Sequence, residues 1–298
     1  MKKETFFSLS KKHILKSECL EVDLFVPHST YTGVRFDWTG LITQVTFEGK
    51  HTYCTSETMK DEMGTGGIGL SNEFGIYTPV GYYEIQPGQK FMKIGVGLLT
   101  RPDGGPYDFF RKYELNPFMK ELKLEKDSIE FYMDAIPCNG YAVDLKKVIS
   151  VSGNRLKIEY SLINKGEKPI FTEEYTHNFL SINRNDIDSK YHLEIKSPVE
   201  YGYRQGDMRI SDTSITWDET PNETFYCRSI EKCNFDSLRW ELTHDTEGVG
   251  VREYGDFPAD LVAVWGMAHV VSPEIYCRIN VKPGNTQEWT REYEFFRY

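Results

Sequence analysis

The stretch Ile170–Asn183 reads Ile-Phe-Thr-Glu-Glu-Tyr-Thr-His-Asn-Phe-Leu-Ser-Ile-Asn, and it carries more hydrogen-bonding chemistry than a β-like run needs for packing. As a strand it would turn successive side chains to opposite faces. Phe171, Glu173, Tyr175, His177, Phe179 and Ser181 fall on one side, and Ile170, Thr172, Glu174, Thr176, Asn178 and Leu180 on the other. One face therefore sets a single histidine among aromatic rings. The other sets a carboxylate beside hydroxyls and an amide. An unperturbed imidazole titrates near 6.5, so His177 suits proton transfer close to neutral pH. The competing role is that of a core histidine bonded to backbone.

Other chemistry-bearing residues lie earlier. Tyr31–His51 reads as two strands punctuated by Gly33, Gly40 and Gly49, with Arg35 and Asp37 on one face and Phe36 and Trp38 on the other. A guanidinium offers a fork of donors to a hydroxyl or carboxylate, and an indole can stack on a ring-shaped ligand. A plain Arg–Asp contact on the sheet surface is the alternative. His51 stands at a hairpin tip. Residues 55–90 read as a long loop, polar and then rich in glycine (Gly64, Gly66, Gly67, Gly69). A dinucleotide loop must follow a buried strand and open a helix; Lys60-Asp-Glu before and Asn72-Glu-Phe-Gly after exclude it. Long loops in compact domains carry function or are disordered. Phe74 and Ile76 favour order, which makes Glu73 a site candidate. The seven histidines show no HxH or HExxH spacing, so no metal centre is predicted. No GxSxG elbow marks a serine hydrolase.

The elements that must position these residues are strands. Phe91–Leu99, Tyr107–Tyr113, Ile129–Asp134, Tyr141–Val151, Arg155–Asn164, Ser237–His244, Asp260–Met267, Glu274–Val281 and Thr286–Phe296 all fit, at a spacing of about ten residues. No segment shows a long helical period, and no repeat or linker divides the chain. The prediction is a single all-β domain over residues 1–298, a sandwich of two large antiparallel sheets packed face to face.

Composition narrows the partners. Of 298 residues 39% are apolar and 14% aromatic, and the formal net charge is −10. An acidic surface is repelled by a phosphate backbone, so nucleic acid is not an expected partner. A neutral substrate is. Tyrosine and tryptophan in such numbers fit sugar stacking, or simply a β protein. No apolar run approaches the roughly 20 residues of a membrane span, and the N-terminal residues do not read as a secretion signal. The six cysteines, Cys19, Cys54, Cys138, Cys227, Cys233 and Cys277, form no CxxC pair, and Cys19, Cys54 and Cys277 read as buried thiols. A reducing, cytoplasmic location is the expectation.

Three stretches together resemble one family. Glu174-Tyr-Thr-His-Asn-Phe-Leu-Ser-Ile-Asn resembles the "NHxYFNL"-type strand of the galactose mutarotase-like (aldose 1-epimerase) superfamily, whose histidine is the general acid. Val271-Ser-Pro-Glu-Ile-Tyr-Cys-Arg-Ile-Asn-Val-Lys-Pro-Gly resembles that family's C-terminal region, where a glutamate base precedes a Pro-Gly turn. Tyr31–Gly40 and Gly69–Phe74 are similar to the start of its divergent branches. In order and spacing the resemblance spans nearly the whole chain.

The resemblance implies an antiparallel supersandwich with a sugar-binding cleft on a concave face. It implies interconversion of the α and β anomers of an aldose, a small-molecule carbohydrate as partner, and no metal or cofactor. Residue by residue it implies His177 as acid and Glu274 as base, with Glu288 the fallback. Around them it implies sugar contacts from Arg35, Trp38, Glu73, Tyr175 and Asn178, with Trp265 as core or cleft wall and His269 beside it. The family's earlier histidine and arginine, in an "NRI"-like context, have no matching motif here, which leaves His51. A hydroxyl-binding aspartate is expected between 200 and 250, with Asp207 the candidate. Two alternatives stand beside the epimerase: a non-catalytic sugar-binding protein on the same scaffold, and a glycoside hydrolase or lyase using two of Asp134, Glu174 and Glu274.

Overall fold

Strand formation here follows the period-two pattern of burial. Val143–Ser152 and Arg155–Asn164 alternate buried and half-buried residues up to the exposed Ser152 and Arg155 at their turn ends. They pair from Val143 opposite Asn164 to Ser152 opposite Arg155, across a turn in which Gly153 takes φ +54°. A left-handed residue suits such a tight reversal, and glycine adopts it without a Cβ penalty. The computed structural model describes residues 4–5, 12–25, 31–60, 64–134, 136–230 and 239–298. Cys233 and the first two residues of the expected strand Ser237–His244 lie outside these.

Among the described residues, two large antiparallel sheets and one small one contain the strands. The eleven-stranded sheet has at its middle Val143–Ser152, Arg155–Asn164, Thr286–Arg297, Val249–Gly255 and Arg239–His244, in that spatial order. The ten-stranded sheet has Phe225–Ser229, Ala259–Met267, Val270–Val281, Ile170–Asn178, Leu70–Phe74 and Leu41–Phe47. Between the sheets lies an apolar core that includes Leu156, Ile158, Leu162, Ile170, Ile275 and Ile279. Each such side chain contributes roughly 1.5–3 kcal/mol when fully buried. Among the described residues there is no α-helix, only two short 3₁₀ turns, and no helix is long and apolar enough to cross a membrane.

The strand Ile170–Asn178 departs from alternation: every residue except Phe171 is buried. Both of its faces are covered. Its even-numbered face looks into the sandwich and ends in ionic chemistry rather than in a ligand site. Arg291 Nε donates to both Glu174 carboxylate oxygens at 3.2 and 3.1 Å, and Arg291 Nη2 donates to Glu174 Oε2 at 2.8 Å. Arg291 Nη1 donates to Glu253 Oε1 at 2.5 Å. Trp289 and Trp240 each donate an indole N–H to one of these carboxylates. Asn72 links Glu174 to Lys147, whose ammonium also reaches Asp37 at 3.1 Å. This polar spine is sealed, and every member is hydrogen-bonded.

Several expected elements differ. The strand from Ile170 ends at Asn178, because Ile182–Arg184 form a 3₁₀ turn with Asn183 left-handed at φ 53°. Residues 31–40 are not a strand; Asp37 and Trp38 hang by single backbone bonds from Asn72 and Gly95. Arg35 and Asp37 do not contact each other, since each is drawn to a different buried partner. Leu70–Phe74 is a buried strand rather than part of a loop. Phe91–Leu99 is a hairpin, Lys90–Lys93 and Gly97–Thr100, reversed at Gly95. Tyr107–Tyr113 is a turn, held by Asp108, whose side chain accepts from the Phe110 N–H and whose carbonyl accepts from Arg111.

Candidate functional site

The ladder between Ile170–Asn178 and Val270–Val281 pairs Ile170 with Val281 through Glu174 with Cys277. It then opens, and the same register resumes at a bridge between Leu180 and Val271. Pro273 lies in the gap, where a residue without an N–H cannot donate to a ladder. The Asn178 side chain fills in by donating to the Pro273 carbonyl at 2.6 Å. Continued through the gap, this register sets Tyr175 opposite Tyr276 and His177 opposite Glu274. Their contacts agree with it. The tyrosine rings stack at 4.4 Å with an 11° interplanar angle, and His177 Nδ1 lies 3.3 Å from Glu274 Oε1.

His177 and Glu274 are both buried, at 4% exposure each, on the floor of a cleft of about 540 Å³. The Nδ1 to Oε1 contact is close but not aligned as a hydrogen bond. Nδ1 is fully buried, so the imidazole meets the cleft through Nε2. The ring is fixed by stacking on Phe179 at 4.0 Å and by the edge of Trp265 at 5.1 Å. Glu274 Oε1 accepts from Ser272 Oγ at 3.1 Å, and Oε2 accepts from the Tyr276 hydroxyl at 3.0 Å. These donors sit two residues to either side, on the same strand face.

Burial moves the two pKa values in opposite directions. Desolvation penalises the charged form. It pushes Glu274 up to about 7, against the opposing pull of Tyr276, Arg35 and Ser272. It pushes His177 well below the usual imidazole value, helped by the positive charge of Arg35. At pH values below about 7 and above the lowered imidazole value the pair therefore carries close to one proton, held mainly on the carboxyl group.

Arg35 lies beside this pair in a saturated setting. Its Nε donates to Glu73 Oε2 at 2.7 Å, its Nη2 to the Tyr175 hydroxyl at 2.9 Å, and its Nη1 to Glu57 Oε1 at 3.3 Å and to Thr65 Oγ1 at 3.2 Å. The Tyr175 hydroxyl donates in turn to Glu73. Glu73 is fully buried and also binds Lys93 at 3.0 Å. Those two cations outweigh desolvation and hold its pKa below the ordinary carboxylate value.

Of the sequence candidates, His177, Glu274, Arg35, Tyr175 and Trp265 line this one cleft. Four others do not reach it. Glu73 lies beneath it with both oxygens engaged, and serves to anchor Arg35. Trp38 is buried, with its indole N–H donated to the Gly33 carbonyl and its ring beneath Lys120. Asn178 is on the sandwich face, between Pro273 and the Tyr293 hydroxyl. His51 is buried elsewhere, against Asn183.

The secondary candidates also lie apart. His269 Nε2 bonds the Ser56 carbonyl, and Glu288 and Asp207 are exposed away from the cleft. Asp134 is exposed on the other large sheet, and Glu174 belongs to the Arg291 spine. The carboxylates that line the cleft are Glu274 and Glu57. Glu57 Oε2 already accepts from the Thr65 N–H and hydroxyl.

Sequence reasoning missed Tyr276, Tyr77, Tyr226, Tyr203, Arg228 and the Phe109–Phe110 turn, all of which line the cleft. Tyr276 was accessible, being two residues from Glu274 on the same strand face. The others come from distant segments that only the sheet order unites.

By sequence the chain matches no protein-family model and no curated protein. By structure it is similar to a provisional aldose 1-epimerase from Escherichia coli K12 at a TM-score of 0.62 and 9% identity, over 96% of this chain and 99% of that one. It is similar to a galactose mutarotase-like protein from Clostridium acetobutylicum at a TM-score of 0.58 and 11% identity, over 100% and 98%. A galactose mutarotase related enzyme from Lactobacillus acidophilus aligns at a TM-score of 0.58 and 10% identity, over 96% and 97%. The chain has the galactose mutarotase-like fold.

Proposed function

We propose that this protein is an aldose 1-epimerase-like enzyme, interconverting the α and β anomers of a sugar by acid–base catalysis at Glu274 and His177. The observation that supports this best is the 3.3 Å His177–Glu274 contact at the floor of a cleft with aromatic walls. Ring opening requires a base to take the proton from the anomeric hydroxyl O1 while an acid protonates the ring oxygen O5. The C1–O5 bond then breaks and an aldehyde forms. After rotation about C1–C2 the same transfers run backward and close the other anomer.

A pair holding one proton suits a reaction whose two halves are mirror images. Proton passage from Glu274 to His177 Nδ1 gives a carboxylate and an imidazolium. The carboxylate accepts the O1 proton, and the imidazolium delivers its Nε2 proton to O5. Groups that titrate close to the working pH are the effective ones for such steps. The hydroxyls of Ser272 and Tyr276 stabilise Glu274 as it becomes an anion. Arg35 and Tyr175, themselves held by Glu73, fix one wall.

A sugar-binding protein without catalysis is the second reading. It is favoured by the burial that keeps His177 neutral, which weakens it as an acid. Polarimetry on freshly dissolved α-anomers of common aldoses separates the two. The epimerase reading expects faster decay of optical rotation than in buffer with at least one sugar. Unchanged decay with every sugar, alongside measurable sugar binding, would leave the second reading standing.

A further inference from the structure

We propose that the cleft continues beyond its acid–base floor into a second sugar subsite on the rim formed by Tyr77, Tyr226 and Tyr203, so that the substrate is the reducing end of a disaccharide or longer glycan. This rests on the epimerase reading for the floor, but the rim is argued from its own residues.

A rail of tyrosines leads outward from His177. The Tyr175 ring lies 6.2 Å from the imidazole and stacks on Tyr276. Tyr276 stacks on Tyr77 at 5.8 Å, the Tyr77 hydroxyl lies 3.4 Å from that of Tyr226, and Tyr226 lies 5.7 Å from Tyr203. The inner rings are sealed and the outer ones open: Tyr175 0%, Tyr276 3%, Tyr77 43% and Tyr203 51%, with a half-buried Tyr226 between the last two. The inner rings contribute to packing. The outer ones leave about half their surface in water, on the edge strand Tyr201–Gln205 and on the segment after Leu70–Phe74, where they do little for folding. Grouped exposed aromatics on a concave wall mark ligand grooves. The electron-rich face of an aromatic ring attracts the C–H face of a pyranose.

Sheet register sets the distance. Arg228 pairs with Ala263, Ala263 with Glu274, and Glu274 faces His177 in the continued register, so the four form one row across four strands. Arg228 is thus two strand spacings, roughly 10 Å, from the catalytic carboxylate. The residue between them, Ala263, is fully buried against Tyr276 and Tyr226, whose rings line the cleft in its place. That span suits a further sugar ring lying over the tyrosines, with polar groups beside it. The Gln205 carboxamide oxygen accepts from the Tyr203 hydroxyl, leaving its amide hydrogens to donate. Arg228 lies over the Tyr77 ring at 5.8 Å and makes no ion pair among the described residues. A sugar seated only on the floor would leave this rim empty.

An anionic sugar is the rival occupant, since Arg228 offers a positive charge. Anion sites bring several donors to one group. Here the cleft's other guanidinium, Arg35, is already neutralised by Glu57 and Glu73. Three tyrosines against one available cation favour a neutral glycan.

The test measures anomer exchange by NMR for glucose, for maltose, cellobiose and lactose (all with reducing-end glucose), and for glucose 6-phosphate and glucuronate. The expected result is a kcat/KM at least about tenfold higher for one of the disaccharides than for glucose, with that ratio collapsing in Tyr203→Ala. Equal values for glucose and all three disaccharides would overturn the subsite while leaving the epimerase reading intact. So would a preference for glucose 6-phosphate or glucuronate that is lost in Arg228→Gln. If no sugar is accelerated, the epimerase reading fails, and chemical-shift titration with the same disaccharides decides the subsite. Tighter binding than glucose, weakened by Tyr203→Ala, supports it, and equal binding overturns it.

Discussion

Two buried ionisable clusters sit back to back on the strand Ile170–Asn178. On the sandwich face, Glu174, Arg291 and Glu253 are fully buried and bonded, and tryptophan indoles satisfy further oxygens. On the cleft face, His177 and Glu274 are nearly as buried but incompletely satisfied: His177 Nδ1 has no aligned partner, and Glu274 has hydroxyl donors rather than a counter-ion. The same strand supplies both. The difference teaches that burial alone does not mark a functional group. The sandwich cluster compensates its charges and is shut from the cleft. The cleft pair is left with pKa values displaced in opposite directions, Glu274 up to about 7 and His177 below the usual imidazole value, and with one open edge, an arrangement suited to proton transfer.

The comparison breaks most visibly at Arg291. Arg291→Met strands two buried carboxylates, and removal of one partner of a buried ion pair costs about 3–5 kcal/mol. Chemical denaturation should show that loss, or the variant should fail to accumulate folded. A midpoint near the parent's would mean that the spine is not structural.

Glu274→Gln should act in the opposite sense. Activity falls on the order of 10²-fold or more, as for a lost general base. Stability at pH 8 rises. A carboxyl whose pKa is raised to about 7 stabilises the fold fully only below the ordinary glutamate value of about 4.3, and that contribution is lost as pH rises through about 7. Removing the ionisation relieves up to about 3 kcal/mol above pH 7. Thermal melts at pH 5 and pH 8 check it; a parent-to-variant difference independent of pH would contradict the assigned shift.

The pH profile of the parent sharpens the same point. The proposed acid–base cycle needs one proton on the pair, so kcat/KM should fall as pH rises through about 7, where Glu274 loses it. The acid limb should lie below the ordinary imidazole value, because the His177 pKa is lowered. A profile flat from pH 6 to 9 would remove Glu274 from the reaction. Smallest of all, Tyr175→Phe removes one hydroxyl shared by Arg35 and Glu73 and should cost about 1–3 kcal/mol of stability. Calorimetry would register it as a modest drop in Tm.

Much of this was legible in the sequence because a strand sorts its residues by parity. Alternation separated Tyr175 and His177 from Glu174, Thr176 and Asn178. It could not say which face met solvent, because both faces are polar and both are covered. Parity thus leaves Asn178 open to the sugar, whereas it belongs to the sandwich. Alternation sets Arg35 and Trp38 on opposite faces of a strand that does not form, since residues 31–40 are held by contacts to distant Asn72 and Gly95. Glu73 looked like a loop residue because the glycines before it masked a five-residue buried strand. Tyr77, Tyr226 and Arg228 carry no local signal. They reach the cleft only because the sheet sets Phe225–Ser229 beside Ala259–Met267 and Val270–Val281.

The central claim is that His177 and Glu274 together move the proton that opens the sugar ring. The most direct measurement is α-to-β exchange of a responsive sugar, followed by magnetisation-transfer NMR with the parent, His177→Ala and Glu274→Gln, each shown to be folded by circular dichroism. The account predicts acceleration by the parent and a loss on the order of 10²-fold or more in both variants. Exchange at the parent's rate in either folded variant would contradict it.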